Sequence, residues 1–317
     1  MTLLIEYTLL YASVLILVAL GGCFSEHSGV INLGLEGIMV IGALGGALTM
    51  STIAQSFPGA SALVIVLSVI LISMLFGVVY SSLLAVACIN FKGDQTIVGT
   101  AINILGTAAA TVIVKAINTA ANPNNVSSVV KYIQPKKAFL FHVGDFELNW
   151  FMVVTLIALA FAYITLYKTK FGLRMMACGE HPQAADSVGI NVYRMRYAGV
   201  TISGVLGGLG GFAYAVGVMN GNCNGHTGVA GFGFLALAVM IFGQWKPLRI
   251  FFAALFFAFL RQLANSIMLI PFLNDLNIPK VVYNILPYVA TMIVLAFTSA
   301  KSRAPKAEGI PYDKGSR

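Results

Sequence analysis

Charge is what this sequence has least of. Only 9% of its 317 residues are Asp, Glu, Lys or Arg, against roughly 25% in ordinary globular chains, which excludes a water-soluble fold of the usual kind. Cysteine is sparse as well. Cys23, Cys88, Cys178 and Cys223 lie far apart and form no CxxC pair, so neither a zinc site nor a disulfide framework is indicated, and each is read as a small hydrophobe. No Gly-Lys pair occurs anywhere, which removes the GxxxxGK[ST] loop and with it that mode of ATP binding. HExxH and GxSxG are absent, and His27, His142, His181 and His226 are too scattered to suggest a metal cluster. Neither a filter loop nor a ring of charge marks an ion channel. No catalytic residue, metal or cofactor is expected.

What fills the chain is apolar: 58% of its residues are hydrophobic. A continuous apolar run of about 18 residues suffices to cross the ~30 Å hydrocarbon layer as a helix. Nine such runs fall near 7–24, 36–54, 62–90, 96–117, 149–167, 197–219, 229–243, 249–268 and 281–298. They are continuously apolar rather than alternating, which excludes a β-barrel. The expected fold is therefore all-α, a polytopic membrane protein of about nine transmembrane helices. Residues 1–298 form one transmembrane domain and 299–317 a basic tail. The first run follows Glu6 with no Lys or Arg before it, so it is read as a retained helix rather than a secretory signal.

Lys and Arg concentrate on the cytoplasmic side of membrane proteins. Here thirteen of the nineteen basic residues lie in four segments: 168–196, the tail, the link holding Lys246 and Arg249, and the link holding Lys92. Nine helices put all four on one face if the N-terminus is outside and the C-terminus cytoplasmic. Lys131, Lys136 and Lys137 in the 118–148 loop run against this rule, and Asp145 and Glu147 lie beside them. The net charge of +8 is thus read as a topological signal, and no nucleic-acid partner is expected.

Residues 168–196 are a polar island between apolar runs. Within it, GEHPQAADSVGI (179–190) has the form of a short helix, with Pro182 at the first helical position and Gly189 free to adopt the left-handed turn that ends it. Ala184, Ala185 and Val188 make a small apolar face, and Glu180, Gln183 and Asp186 face water or a partner. Two turns are not stable alone, so this helix packs on something; the alternative is a plain solvated link. Polar residues at membrane depth suggest function. SEHSGVINLGLEG (25–37) holds Glu26, Asn32 and Glu36, and is either a cytoplasmic turn or a broken helix lining a cavity. Asn103 sits mid-span, to bond either a substrate or a neighbouring helix, and Glu36 equally suits a helix cap. The glycines of 203–217 stack at GxxxG spacing, for packing within the bundle or between subunits. Gly34 and its following run weakly echo Gly231 and its run.

GLRMMACGEHPQAADSVGINV resembles the EAA-like cytoplasmic loop of ATP-binding-cassette importer permeases, in the branch serving sugars, branched-chain amino acids and nucleosides. HSGVINLGLEGIMVIGA (27–43), DQTIVGTAINILG (94–106), GFGFLALAVMIFGQWKP (231–247) and ILPYVATMIVLAF (285–297) are similar to further blocks of that family in the same order, and RAPKAEGIPYDKGSR resembles the ending of the nucleoside-type members. The resemblance implies a non-catalytic permease subunit in the bacterial cytoplasmic (inner) membrane. Its partners would be a separate ATPase, a second homologous permease and an extracytoplasmic substrate-binding protein, and its cargo a nucleoside or similar hydroxyl-rich molecule. Simple sugars, riboflavin and branched-chain amino acids are the alternatives within the family; a stand-alone secondary transporter or channel is the alternative outside it. Gly179, Glu180, Pro182, Ala184, Ala185, Asp186 and Gly189 would then form the coupling helix that docks on the ATPase, while Asn32, Glu36 and Asn103 are the candidates for the substrate path.

Overall fold

The fold is taken from a computed structural model that describes residues 2–57, 59, 61–131, 139–144, 146–218, 222–224, 229–266, 281–282, 285, 289, 292 and 304–315. Its helices are α1 (Thr2–His27), α2 (Leu35–Ser56), α3 (Ala62–Ala85, continued by a π turn Val86–Asn90), α4 (Gln95–Ala121), α5 (Trp150–Lys168), α6 (Lys170–Glu180), α7 (Pro182–Ser187), α8 (Val192–Gly217), α9 (Phe232–Phe242) and α10 (Pro247–Asn265). Polar residues set several starts. The side chain of Asp94 accepts from the backbone N–H groups of Thr96 and Ile97 to begin α4, that of Asn149 from Phe151 to begin α5, and that of Asn191 from Arg194 to begin α8.

Among the described residues, seven helices are long and apolar enough to cross a membrane. They correspond to the first six expected runs and the eighth, with ends shifted by a few residues. The protein is a mostly helical, polytopic membrane protein. Two features depart from the sequence expectation. The run 229–243 yields α9, an eleven-residue helix of about 16 Å, half the thickness of the hydrocarbon layer. Among the described residues, four short strands also interrupt the all-α pattern outside the helices: β1 (Val129–Lys131), β2 (Leu140–Val143), β3 (Phe146–Asn149) and β4 (Asn222–Asn224). β2 pairs antiparallel with β3 as a hairpin, and β1 pairs antiparallel with β4. Hydropathy could not reveal this pairing, because it joins two polar loops about ninety residues apart. The expected ninth run, 281–298, lies almost wholly outside the described residues.

α8 is the central post, buried along most of its length against α1, α2 and α3. Its glycines permit that crowding. A Cβ on Gly211 would fall 1.9 Å from the Met39 carbonyl oxygen, and one on Gly42 only 2.3 Å from Gly208 Cα. The GxxxG spacing therefore serves close packing inside the bundle. Outward-facing Leu63, Leu67, Leu71, Leu75, Val79 and Leu83 form an exposed apolar stripe on α3, suited to lipid.

The two ends of the bundle are distinct. At one end the β1–β4 pair joins the loops after α4 and α8, and Glu147 N donates to the Glu6 carboxylate near the start of α1. At the other end meet the links holding Lys92 and Trp245, the 168–192 region and residues 304–315. Lys92 pairs with Asp313, Trp245 bonds Glu26, and Ala307 N donates to Gly179 O.

Candidate functional site

The segment between α1 and α2 is not a surface turn. α1 ends at His27, and residues 28–34 run as irregular backbone into the protein along α8. A Cβ on Gly199 would contact Ser28, Asn32 Nδ2 donates to Ser203 Oγ (2.8 Å), and Gly207 lies against Ile38 and Leu35. Gly207 stands fifteen residues into α8, about 22 Å from its start at 1.5 Å per residue. α2 thus begins deep in the bundle. Buried irregular backbone needs hydrogen-bond partners, and neighbouring side chains supply them. Gln95 Oε1 accepts from Ile31 N (2.7 Å), and Asn103 Oδ1 accepts from Gly37 N (2.8 Å) while its Nδ2 donates to Leu33 O (2.7 Å).

Glu36 completes the arrangement. It sits in the first turn of α2 yet caps a different helix, its two oxygens accepting from Gly231 N (2.8 Å) and Gly233 N (2.7 Å) at the start of α9. Gly231 is left-handed, with φ +80°, a conformation that suits glycine. The two glycine-led runs that echo each other in sequence meet here, N-terminus to N-terminus. The positive ends of both helix dipoles face the Glu36 carboxylate.

Beside this junction lies an open groove of about 720 Å³ lined by Glu36, Asn103, Thr100, Thr107, Thr111 and Phe234, together with Ile104, Ala108 and Val112. Two of the three candidate path residues, Glu36 and Asn103, therefore share one cavity wall. The third, Asn32, is wholly buried behind them and keeps one oxygen, Oδ1, without a hydrogen-bond partner. The polar atoms of Asn103 are occupied by backbone, as in the neighbouring-helix alternative, and Glu36 is occupied as a cap. Sequence reasoning passed over Thr100, Thr107 and Thr111. Their spacing with Asn103 (100, 103, 107, 111) is the signal that places them on one helix face. Their hydroxyls donate back along the helix, Thr100 to Thr96 O, Thr107 to Asn103 O and Thr111 to Thr107 O, which leaves the oxygens of Thr100 and Thr107 as acceptors.

The second cluster lies at the opposite end from the strands. α7 has Pro182 at its first position and closes through Ile190 N donating to Ala185 O (3.0 Å) and Gly189 N to Asp186 O (2.9 Å). With Gly189 at φ +84° this is a Schellman stop. The expected apolar face is divided, because residues 184 and 185 are adjacent on a helix and point about 100° apart. Ala185 is buried with Cys178, Val192 and Tyr312, whereas Ala184 is exposed and Val188 is 75% exposed. Gly179 is wedged against α1, where a Cβ would lie 2.3 Å from His27 O. Glu180 is exposed and Asp186 half-buried, within 4.0 Å of Lys314. At the same end Trp245 Nε1 donates to Glu26, and Cys23 Sγ donates to Trp245 O (3.2 Å). A tight turn with Gln244 and Trp245 both at positive φ aims that indole inward. Neither Glu26's partner nor Arg196, only 1% exposed, was legible in the motifs. The described cysteines Cys23, Cys88 and Cys178 are buried and free. Among the described residues no group of three or more His, Cys, Asp or Glu side chains has the geometry of a metal site.

Comparison with known proteins gives the arrangement a context. The sequence profile of the branched-chain amino acid transport system / permease component family matches residues 4–295. The chain is 40% identical over 321 residues to the guanosine ABC transporter permease protein NupQ of Bacillus subtilis, covering 100% of this chain and 98% of that protein. It is 38% identical over 311 residues to the nucleoside ABC transporter permease protein NupC of Lactococcus lactis, covering 96% and 95%. To the nucleoside ABC transporter permease protein NupB of the same organism it is 26% identical over 313 residues, covering 96% and 83%. No solved structure gives a significant match.

Proposed function

The chain belongs to the branched-chain amino acid transport permease family, and on that premise we propose that it is the membrane subunit of an ATP-binding-cassette importer for nucleosides. The observation that carries this reading is similarity over the whole chain to NupQ and NupC, whose names specify guanosine and nucleosides. The subunit is non-catalytic. It works with an ATPase carried on another polypeptide and with a substrate-binding protein, and it resides in the bacterial cytoplasmic membrane. Two separately named nucleoside permeases in one organism, NupC and NupB, support pairing with a second, homologous permease.

Nine crossings, an external N-terminus and a cytoplasmic C-terminus are part of the proposal. In support, the start of α1 and residues 304–315 lie at opposite ends of the bundle, as an odd number of crossings would put them. The end that gathers Lys92, Arg194, Lys246 and the tail is then the cytoplasmic one. α7 (Pro182–Ser187) is the coupling helix: its buried side, Pro182 and Ala185, is held by the permease, and Gln183, Ala184, Ser187 and Val188 face the ATPase. Gly179 and Gly189 bound it, and Glu180 and Asp186 offer carboxylates to basic groups on the partner. The groove along α4 is the substrate path. Thr100 and Thr107 present acceptors to nucleoside hydroxyls, Glu36 and Asn103 hold the backbone that forms its wall, and Asn32 ties that segment to Ser203 of α8.

The test is reconstitution of the purified permease pair with its ATPase and binding protein in proteoliposomes. ATP-dependent guanosine uptake that requires all components is expected. Uptake by this chain alone, driven by an ion gradient, would overturn the proposal. A bound aliphatic amino acid in the purified binding protein would overturn the substrate. Within the same system Ala184→Glu places charge and bulk on the exposed side of α7 and is expected to abolish stimulated hydrolysis and uptake at normal membrane abundance.

A further inference from the structure

The 304–315 segment lies far in sequence from everything it touches, and its contacts include both the surroundings of α7 and the irregular segment after α1. Pro305 and Ala307 engage Gly179, through Cβ contact and through the Ala307 N–H to Gly179 O bond of 2.8 Å. Gly309, left-handed at φ +76°, brings the chain against Ile31, inside the irregular segment that leads to Glu36. Ile310 O accepts from Arg196 Nη2 at 3.0 Å, and that guanidinium stands 5.9 Å over the Tyr312 ring. The same guanidinium borders Gly29, at the start of the irregular segment. Tyr312 also meets Tyr193 edge-on at 5.4 Å and is buried in the cluster with Cys178, Ala185 and Val192. Beyond it Asp313 pairs with Lys92 at 2.9 Å, and Lys314 approaches Asp186 of α7.

This placement is more than a tail lying on a surface. Beside buried Pro182, Ala185 gives α7 a hold through a small cluster in which Tyr312 is the largest buried member. A six-residue helix has no independent stability, so its orientation depends on that support. At its other end the same segment touches residues 29–31, whose continuation carries the Asn103 and Glu36 contacts at the groove. One stretch of twelve residues thus spans from the docking helix to the segment that forms the groove wall.

We propose that residues 304–315 are a strap that positions α7 for its ATPase and ties it to the 28–34 segment, with Tyr312 and Ala307 as the fastenings. The strap rests on the permease reading above and adds to it a positioning role for the C-terminal segment. Side chains of the strap need not touch nucleotide or cargo; they act through α7. Removing a fastening leaves the spans intact and lets α7 vary in orientation, so the ATPase loses a fixed surface on which to dock.

The experiment uses the complete importer in proteoliposomes with three forms of this chain: Tyr312→Ala, Tyr312→Phe and a chain ending at Arg303. Membrane abundance, ATPase retained on the purified permease, stimulated hydrolysis and uptake per ATP are measured. Tyr312→Ala and the shortened chain are expected to lose ATPase retention and stimulated hydrolysis by ten-fold or more at normal abundance. Tyr312→Phe keeps the ring over Arg196 and is expected to restore them. Ala184→Glu separates the outcomes. If it blocks transport while Tyr312→Ala and the shortened chain transport normally, the strap is wrong and the permease reading stands. If Ala184→Glu is itself without effect, docking through α7 fails first. Should the shortened chain not reach the membrane, the two Tyr312 variants decide the question.

Discussion

Glu36 Oε1 lies 2.8 Å from the backbone nitrogen of Gly231, so an acid in one helix closes the end of another 195 residues away. With its second oxygen on Gly233 N, this carboxylate satisfies two donors that the membrane interior could not. Glu36→Ala is expected to destabilise the protein by about 2–4 kcal/mol, two buried N–H groups at roughly 1–3 kcal/mol each with partial relaxation. Glu36→Gln keeps one acceptor oxygen and is expected to cost about half as much. Thermal unfolding of the purified permease in detergent measures both, and an alanine variant as stable as wild type would mean that the cap is not formed.

Asn103 is expected to respond in a graded way. Asn103→Asp retains an acceptor for Gly37 N but loses the donor to Leu33 O, whereas Asn103→Leu loses both bonds. Leucine should therefore be the worse, by about 1–2 kcal/mol. In uptake assays both should lower the maximal rate, because residues 33–37 form the groove wall.

Close packing at α8 leads to a steric prediction. Gly211→Val would drive a side chain into the Met39 carbonyl and should abolish membrane accumulation, measured by immunoblot of membrane fractions. Gly189→Ala meets no neighbour within 4 Å but is strained at φ +84°, at a cost of about 1 kcal/mol, and should be tolerated in the membrane.

The strap carries a pH dependence. Burial pushes the Glu308 carboxyl up from the ordinary 4.5 to about 7, with the hydrogen bond to Glu26 acting in the opposite direction. Glu26 of α1, itself bonded by the Trp245 indole, is the titratable group it meets. An acid raised in the docked state binds a proton more tightly there than when released. Docking is therefore fully favoured below about pH 4.5 and weakens as pH rises through about 7. The Lys92–Asp313 pair works the other way in principle, its hydrogen bond lowering Asp313 and raising Lys92, but both side chains are exposed and screened. A spin label at Ile310→Cys should gain mobility between pH 5 and 8.5, and Glu308→Gln should flatten that curve.

Topology is testable without activity. Single cysteines at Ser127 and Ser187, in a background lacking the native four, should differ in labelling by an impermeant thiol reagent on intact cells, Ser127 reacting and Ser187 protected. Equal labelling would mean that α5 (Trp150–Lys168) does not cross and that the helix count is wrong.

The spans were legible because continuous hydropathy is a local property: the runs from 7–24 to 149–167 reappear as helices within a few residues. α7 was legible for the same reason, since Pro182 and Gly189 specify their ends through their own backbone chemistry. What local pattern could not give is partnership. Glu36 reads as a cap for the helix that contains it, yet the helix it caps is α9, because only tertiary packing brings Gly231 near. Ala184 and Ala185 look equivalent in sequence and differ entirely in burial, because Tyr312 arrives from the far end of the chain. Thr100, Thr107 and Thr111 are unremarkable until α4 is seen to wall a groove.

The half-length of α9 has a bearing on how the chain is made. A helix of about 16 Å cannot leave the translocon as an independent span, and its first N–H groups have no acceptor in lipid. It becomes stable only when α2, synthesised nearly two hundred residues earlier, holds Glu36 in place. The expected consequence is ordered assembly, with α9 packing against a template that the first half of the protein supplies. Co-expressed halves divided between α5 and α6 should assemble only when the N-terminal half is already in the bilayer.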